Sequence, residues 1–278
     1  MNIDFALFDG IQLKMTLDSS RNSSYPTARI QKGLILWCDG QDLSEEAVGF
    51  GVPILKRGLY TNFPGQAELS HNSRTSPNEF TARYTLNLEE KFTRSGSNIV
   101  NNRLVYRGKN ILAGMIRGFP FLRKPLTGAS NLLRSILSWQ TTYEPAQSST
   151  YITLRYIINA NSGTVLVDLI DRDFSINNIT EIIVMNEQGA HSFDQFQEAG
   201  GITKQGEEIG CWDEVAAKEA AFISSRHRVS FSLPCVRGAK LYMGRELISN
   251  RLAWSGFGYS FSPNHEHFSY EIKIKRLP

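Results

Sequence analysis

The sequence FSYEIKIK, residues 268–275, alternates between apolar and polar side chains. One face of the extended chain would carry Phe268, Tyr270, Ile272 and Ile274, and the other Ser269, Glu271, Lys273 and Lys275. Successive side chains of a β-strand point to opposite sides of the sheet. The stretch therefore predicts an antiparallel strand with one buried and one solvated face.

Similar patterns recur along most of the chain. Short runs rich in β-branched and aromatic residues, closed by Gly, Pro, Asn or Asp, are typical of strands. The other predicted strands are 28–38, 48–56, 66–71, 80–88, 151–158, 164–170, 180–185, 228–233, 240–243 and 252–261. Two stretches indicate helices instead. Residues 130–139 place leucines and isoleucine at helical spacing. Residues 213–225 combine an acidic start with four alanines, and Arg226 and Arg228 follow their end.

About eleven strands, two or three short helices and no strand–helix alternation predict an all-β, mainly antiparallel protein. The expected architecture is a large β-sandwich, a supersandwich or a barrel. We expect residues 1–278 to form a single β-rich domain, because a chain of this length can bury a sizeable core. Residues 101–145 interrupt the strand pattern and are expected to form a basic, partly helical insertion or covering segment.

Charge is segregated along the chain. The totals of 30 Lys plus Arg and 27 Asp plus Glu nearly cancel, but residues 91–143 carry nine basic and no acidic side chains, and residues 144–219 carry four basic and thirteen acidic ones. The basic block is compatible with three partners: a nucleic acid, an anionic membrane surface, or the acidic segment of the same chain or of an oligomer. A non-enzymatic binding or scaffold protein acting on an anionic partner is therefore one functional hypothesis.

The sequence predicts a cytoplasmic protein. The first ten residues contain Asp4 and Asp9 but no basic residue, unlike a secretory signal. No apolar run approaches the ~20 residues of a membrane-spanning helix. Cys38, Cys211 and Cys235 are widely spaced and form no Cys-x-x-Cys pair, so we expect free thiols rather than disulfides or a thiolate zinc site.

Two Gly-Phe-Gly motifs, at 49–51 and 256–258, lie inside predicted strands. Glycine at such positions often marks a β-bulge, a bend or a close approach by another backbone or a ligand. Phosphate-binding loops with the Gly-x-x-x-x-Gly-Lys pattern are absent, and neither Gly-Phe-Gly motif continues into a dinucleotide-binding fingerprint. The motifs therefore predict strand bends.

The sharpest local cluster of chemical groups is His265, Glu266 and His267. Imidazole and carboxylate side by side at the rim of a sheet are suited to general acid and base catalysis near neutral pH, so these three are the candidate catalytic residues. An alternative uses His265, His267 and Glu271 as ligands of a divalent metal ion, since they would share one face of a strand. Otherwise no cofactor is expected.

The spacing His-x-His-x-x-x-Glu at 265–271 resembles part of the first metal motif of the cupins. The resemblance implies a β-barrel with a bound divalent metal ion, but it covers about seven residues only. Gly258 is one residue too far upstream for the motif, and Pro278 leaves no room for the second motif. A cupin-like metal-binding protein is thus a further alternative.

Aromatic and charged residues elsewhere suggest a carbohydrate-like ligand. Trp37 precedes a loop that holds Asp39, and Arg251 lies close to Trp254. Indole faces can stack on a sugar ring while charged groups bond its hydroxyls, so these four are the candidate ligand-binding residues. A separate acidic cluster, Asp168, Asp171 and Asp173, is expected to reach into the turn after the 164–170 strand.

The size, strand content and scattered histidines resemble the galactose mutarotase-like supersandwich. That resemblance concerns the fold and implies a protein that binds or acts on a carbohydrate-like small molecule by isomerase-, lyase- or hydrolase-type acid–base chemistry. The sequence leaves open whether the protein is an enzyme and whether it forms oligomers.

Overall fold

The computed structural model describes residues 2–17, 30–57, 60–86, 89–95, 98–100, 139–145, 150–174, 179–201, 203–248 and 252–278, with isolated positions at 108, 111, 115 and 125. Three predictions fall outside these residues: the helix at 130–139 except for its last residue, the role of Arg251, and most of the 101–145 segment. The possible contact between the basic and acidic segments therefore stays a prediction.

The protein is an all-β, antiparallel sandwich. Its nine-stranded sheet contains β7 (Pro64–His71), β8 (Glu79–Leu86), β12 (Thr150–Asn159), β13 (Thr164–Phe174), β15 (Gln195–Glu198), β16 (Thr203–Gln205), β18 (Glu219–Ser224), β19 (Val229–Pro234) and β22 (Phe268–Arg276). The strand order is β16-β15-β18-β19-β22-β13-β12-β8-β7. Its six-stranded sheet contains β5 (Gly49–Arg57), β6 (Tyr60–Asn62), β14 (Glu181–Gln188), β17 (Asp213–Glu214), β20 (Ala239–Ile248) and β21 (Leu252–Phe261), in the order β17-β20-β21-β14-β5-β6.

Two smaller sheets complete the described strands. One is four-stranded and consists of β1 (Asn2–Ala6), β2 (Ile11–Thr16), β3 (Ile35–Cys38) and β4 (Gln41–Asp42) in that order. The other is three-stranded, with β9 (Glu89–Ser95) between β10 (Asn98–Val100) and β11 (Trp139–Pro145). The four-stranded sheet contacts both large sheets: Phe5 stacks on Phe80, and the Leu36 N–H bonds Oε1 of Gln188 at 3.2 Å.

The 268–275 prediction is confirmed, since Phe268, Tyr270, Ile272 and Ile274 of β22 are all buried. These side chains face the six-stranded sheet across an aromatic core. Phe231 lies at the centre of this core, with ring centroids 5.1 Å from Phe50, 5.0 Å from Phe193 and 5.9 Å from Phe257. The two large sheets therefore pack face to face, as in other sandwiches.

The helix predicted over 213–225 is wrong. Residues 219–224 form β18, paired on both sides with β15 and β19. Ala220, Phe222 and Ser224 are buried while Glu219, Ala221 and Ile223 are half-buried, which is the two-residue period of a strand. Alanine favours helices only weakly, and burial against the sandwich core outweighs that preference.

Both Gly-Phe-Gly motifs flank β14. Gly49 and Gly51 lie on β5, and Gly256 and Gly258 lie on β21, on either side of residues 185–187. The β5–β14 register shifts between Met185 and Asn186, so the irregularity predicted for the 49–51 motif is present. At 256–258, by contrast, β21 pairs with β14 and β20 in continuous register.

Candidate functional site

The structure places the predicted site residues in three separate regions. Glu266 and His267 lie in the turn before β22, Trp37 and Asp39 lie at the end of β3, and Trp254 lies on β21. Asp39 contacts Arg276 at the far end of β22, nine residues from His267, which is roughly 30 Å at the rise of a β-strand. Trp254 is seven residues before Phe261, where β21 ends, or roughly 23 Å. One site cannot contain all of them.

Trp37 and Asp39 have structural partners within the described chain. The ammonium of Lys14 lies 4.1 Å from the centroid of the Trp37 ring. Asp39 accepts a hydrogen bond from Nη2 of Arg276 at 2.9 Å, and this bond holds the pKa of Asp39 below its ordinary value. Arg276 also lies 2.7 Å from Sγ of Cys38, where burial raises the pKa of the thiol. This cluster joins the four-stranded sheet to the end of β22.

His265 is separated from its two neighbours. Its backbone N–H bonds the Ser262 carbonyl at 3.0 Å, and its own carbonyl accepts a bond from Nη1 of Arg172 at 2.8 Å. The imidazole packs against Phe261 at 5.8 Å and lies over Gly238. The ring is therefore a packing group in the turn between β21 and β22.

The metal alternative is not supported by this geometry. Since β22 begins at Phe268, His265 and His267 belong to a turn and do not share a strand face with Glu271. Among the residues that the structure describes, no group of three or more His, Cys, Asp or Glu side chains could hold a metal ion.

Glu266 and His267 line a cleft of about 560 Å³ on the outer face of the nine-stranded sheet. The other lining residues come from β12, β13 and β22: Arg155, Asp168, Leu169, Ile170, Asp171, Arg172, Phe268 and Ser269. We call this group the β13 cleft. It brings two of the three predicted catalytic residues together with charged groups from distant parts of the chain.

Arg155 and Asp168 form the best-defined ion pair of the cleft. They are cross-strand partners on β12 and β13, and Oδ2 of Asp168 accepts bonds from Nη2 at 2.7 Å and Nε at 3.1 Å. The hydrogen bond to Asp168 raises the pKa of Arg155 further. Glu79 lies 4.0 Å away on the other side of the guanidinium. The pair is held in one geometry, and among the described residues Oδ2 is the Asp168 oxygen that takes part in these bonds.

A β-bulge shapes the floor of the cleft. Thr153 pairs with Asp171, while the next residue, Leu154, pairs with Leu169, so Ile170 is the extra residue. Its side chain is 46% exposed although it is large and apolar. Bulges often redirect a side chain beside a functional site. Here the bulge presents an apolar surface among charged groups.

The sequence did not predict Arg155, Ile170 or Arg172 as site residues. Asp168 and Asp171 were noted as an acidic cluster, but β13 continues to Phe174, so Asp171 and Asp173 lie in the strand and not in a turn. In the sequence, this acidic cluster is the signal that points to the region of the cleft. The arginine partner could not be found without the β12–β13 register.

No protein-family model and no curated protein matches the chain. The fold is similar to that of the alpha-N-acetylgalactosaminidase NagBb from Bifidobacterium bifidum in its GalNAc complex, with a TM-score of 0.53 at 10% identity over 99% of this chain. The match covers 36% of that chain, so the present chain spans about a third of the length of that glycosidase. At this identity the similarity concerns the fold alone.

A galactose mutarotase-like protein from Lactobacillus casei also matches, with a TM-score of 0.41 at 8% identity over 99% of both chains. Within the described ranges, none of the helices has the length and apolar character needed to span a bilayer.

Proposed function

We propose that the protein binds, and acts by acid–base chemistry on, a neutral carbohydrate-like ligand in the β13 cleft. The observation that carries the proposal is the joint placement of Glu266, His267 and the bulged Ile170 in one cleft with the Arg155–Asp168 pair. The glycosidase whose fold is similar was solved with GalNAc, and this supports a sugar-like ligand as the first to test.

The size and chemistry of the cleft fit a small polyhydroxy compound. Its volume of about 560 Å³ lies within the usual 300–1,000 Å³ of small-molecule pockets. Carboxylates offer acceptors and the guanidinium, imidazole and hydroxyl groups offer donors, which suits a ligand with several hydroxyls. Ile170 supplies an apolar contact for the C–H face of a ring. Trp254, on the other large sheet, cannot serve as the platform here.

Glu266 and His267 are the proposed acid and base. Both are exposed at the rim, on the turn that leads into β22. One group would take a proton from a ligand hydroxyl or carbon while the other returns a proton, which interconverts anomers or cleaves a bond according to the ligand.

Binding and turnover can be measured with a panel of monosaccharides and their methyl glycosides, by ligand-observed NMR and by polarimetry. We expect Ile170→Ser to weaken binding several-fold through loss of the apolar contact. His267→Ala and Glu266→Gln should lower turnover by about 10²- to 10⁴-fold, the usual contribution of a general acid or base.

Glu271→Gln is the matched control for Glu266→Gln. Glu271 lies on the outer face of the adjoining strand, but it does not line the cleft. If all three cleft variants bind and convert every sugar of the panel as the unaltered protein does, the proposal is wrong.

The basic block at 91–143 carries the second hypothesis, a scaffold role on an anionic partner. That hypothesis stays a prediction, because the side chains of the block lie almost entirely outside the described residues. Binding to anionic vesicles or single-stranded nucleic acid that weakens with salt would support it.

A further inference from the structure

The bulge at Ile170 inverts the side-chain alternation of β13. Before the bulge, Leu169 packs against the core and pairs with the buried Leu154 of β12. Beyond the extra residue, Arg172 pairs with Ile152, which is also buried. An uninterrupted strand that turns Leu169 to the core would place Arg172 on the outer face, because side chains alternate at every residue. The bulge therefore brings an arginine to the inner side of the sheet.

The residues that follow Arg172 keep the inverted alternation. Phe174 packs against the core, and Cζ of Arg172 lies 5.9 Å from the centroid of its ring. Asp171 and Asp173 are exposed on the opposite face. Arg172 itself is half-buried. A charged group that is partly removed from water needs hydrogen-bond partners within the protein.

Arg172 is bonded to the turn that carries the proposed acid and base. The pairing of β13 with β22 reaches Leu169 and Phe268, so the last residues of β13 run beside the turn that precedes β22. There, Nη1 of Arg172 donates to the His265 carbonyl at 2.8 Å. Hydrogen bonds from an ionised donor are stronger than those between neutral groups. This bond ties the turn to β13.

The imidazole of His265 fixes the turn on its other side. The ring packs against Phe261 and Phe268, with centroids 5.8 Å and 6.3 Å away. It also lies over Gly238, where an added Cβ would be 2.5 Å from Cε1 of the ring. The His265 N–H bonds the Ser262 carbonyl at 3.0 Å within the turn. His265 is thus held by its ring beside the six-stranded sheet and by its carbonyl beside β13.

Glu266 and His267 follow directly after this anchored residue. Both are exposed, and β22 begins only at the residue after His267. Their distance from the ion pair of the cleft therefore depends on where the turn is held. A misplacement of about 1 Å is enough to lower turnover roughly 100-fold in enzymes.

We propose that Arg172 is a positioning residue of the β13 cleft. By holding the His265 carbonyl, it sets the proposed acid and base at the distance from the ion pair that turnover requires. This role rests on the proposed function. The bulge then serves the site twice, because one extra residue presents Ile170 to the ligand and turns Arg172 toward the catalytic turn.

Replacement of Arg172 should affect turnover more than binding. Arg172→Met keeps the length of the side chain and removes its donors, and the probe is GalNAc, the sugar bound to the glycosidase of similar fold. We expect kcat for anomer interconversion, followed by polarimetry of freshly dissolved sugar, to fall roughly 10- to 100-fold. KM should change by less than about twofold, because Ile170 and the ion pair still contact the ligand.

Arg172→Lys keeps the charge and a donor, and it should recover most of the lost kcat. A rise in KM at unchanged kcat in Arg172→Met would mean that the guanidinium binds the sugar directly, and the positioning role would be wrong.

Arg245→Met is the matched control for Arg172→Met. Arg245 of β20 also donates to a backbone carbonyl in a turn, from Nη2 to Ala190 at 3.0 Å, and it does not line the β13 cleft. The control should cost a similar amount of stability in urea denaturation and leave kcat unchanged. If it lowers kcat as much as Arg172→Met does, the loss reflects general destabilisation and the proposal is overturned.

Amide hydrogen exchange, measured by NMR, tests the anchor without any ligand. In Arg172→Met the His265 N–H should exchange roughly tenfold faster or more, because opening of the turn no longer breaks the guanidinium bond. The Ile274 N–H bonds the Gly163 carbonyl at 2.7 Å further along β22, and its exchange should stay unchanged as an internal control. Unchanged exchange at His265 would overturn the proposal.

The two measurements separate failure of this role from failure of the proposed function. If the unaltered protein converts neither GalNAc nor another sugar of the panel, the proposed function is wrong, while faster exchange at His265 in Arg172→Met still supports Arg172 as the anchor of the turn. If the unaltered protein converts GalNAc and Arg172→Met does so with the same kcat, the proposed function stands and the positioning role is wrong.

Discussion

At the scale of single residues, Glu187 couples the fold to pH. Burial raises the pKa of its carboxyl to about 8 in the folded chain, from 4.5 in the absence of the fold. Between these values the folded chain holds a proton that the unfolded chain has released. The stability that this group contributes is fully present below pH 4.5. It falls by about 1.4 kcal/mol per pH unit above that value and is fully lost once the pH has risen through 8.

Glu187→Gln should remove this pH dependence. We expect the variant and the unaltered protein to have similar free energies of unfolding at pH 5. At pH 9 the variant should be the more stable of the two, by at most several kcal/mol. Urea denaturation followed by circular dichroism at pH 5, 7 and 9 measures the difference. A difference that is constant over this range would contradict a buried protonated acid.

At the scale of elements, the irregularity in β5 depends on Gly51. Its φ is +72°, and an added Cβ would lie 2.6 Å from Cε1 of Tyr156. The Tyr156 hydroxyl donates to the Gly51 carbonyl at 2.5 Å and shares a bond of 2.8 Å with the Tyr84 hydroxyl. The Gly51 N–H bonds Oδ1 of Asn186 at 3.1 Å. A buried polar network thus links β5 and β14 to the opposite sheet.

Gly51→Ala should destabilise the protein more than Gly40→Ala does. Gly40 has a similar φ of +79° but nothing within 4 Å of an added Cβ, so it measures backbone strain alone. We expect about 1 kcal/mol for Gly40→Ala and a further 1–3 kcal/mol for Gly51→Ala from the clash with Tyr156. If thermal denaturation shows that the two variants lose the same amount of stability, the Tyr156 ring moves aside freely.

Elements also differ in how well local patterns predict them. The strand at 252–261 is predicted with its observed bounds, because its alternation of large and small residues is typical of a strand. Residues 219–224 were not predicted as a strand, because local propensity favoured a helix and only pairing with β15 and β19 reverses that preference. The short strands β15, β16 and β17 carry too few residues for a periodic pattern.

At the scale of the whole molecule, aromatic side chains hold the two large sheets together. Tyr270 of the nine-stranded sheet donates to Oδ1 of Asn186 on the six-stranded sheet at 2.7 Å, and around this bond the core is apolar. Phe231 contacts rings from both sheets. Loss of this side chain therefore weakens the packing between the sheets as well as one strand.

Phe231→Ala should cost about 3–5 kcal/mol, the usual loss for a buried phenylalanine. We expect the urea midpoint to fall with little change in the slope, and tryptophan fluorescence and circular dichroism to report one shared transition. Leu247→Ala serves as the control, since Leu247 is 39% exposed and should cost less than about 0.5 kcal/mol. Separate transitions for the two signals would mean that the sheets unfold independently.

The candidate site was predictable in part. Glu266 and His267 stand out because they are neighbours in a polar turn, and the structure brings both to the β13 cleft. His265 belongs to the same tripeptide, yet its ring turns to Phe261, because a turn does not keep the two-residue alternation of a strand. Arg155 meets Asp168 only through the β12–β13 register, which the local sequence does not encode.

The sequence by itself determined the class of this protein: an antiparallel, strand-rich fold, since alternation of apolar and polar residues is a local property that burial on one face requires. It also determined the positions of the two Gly-Phe-Gly motifs. The tertiary structure decided which strands are neighbours and which side chains meet. The β13 cleft depends on cross-strand register, and register follows from packing the two sheets against each other.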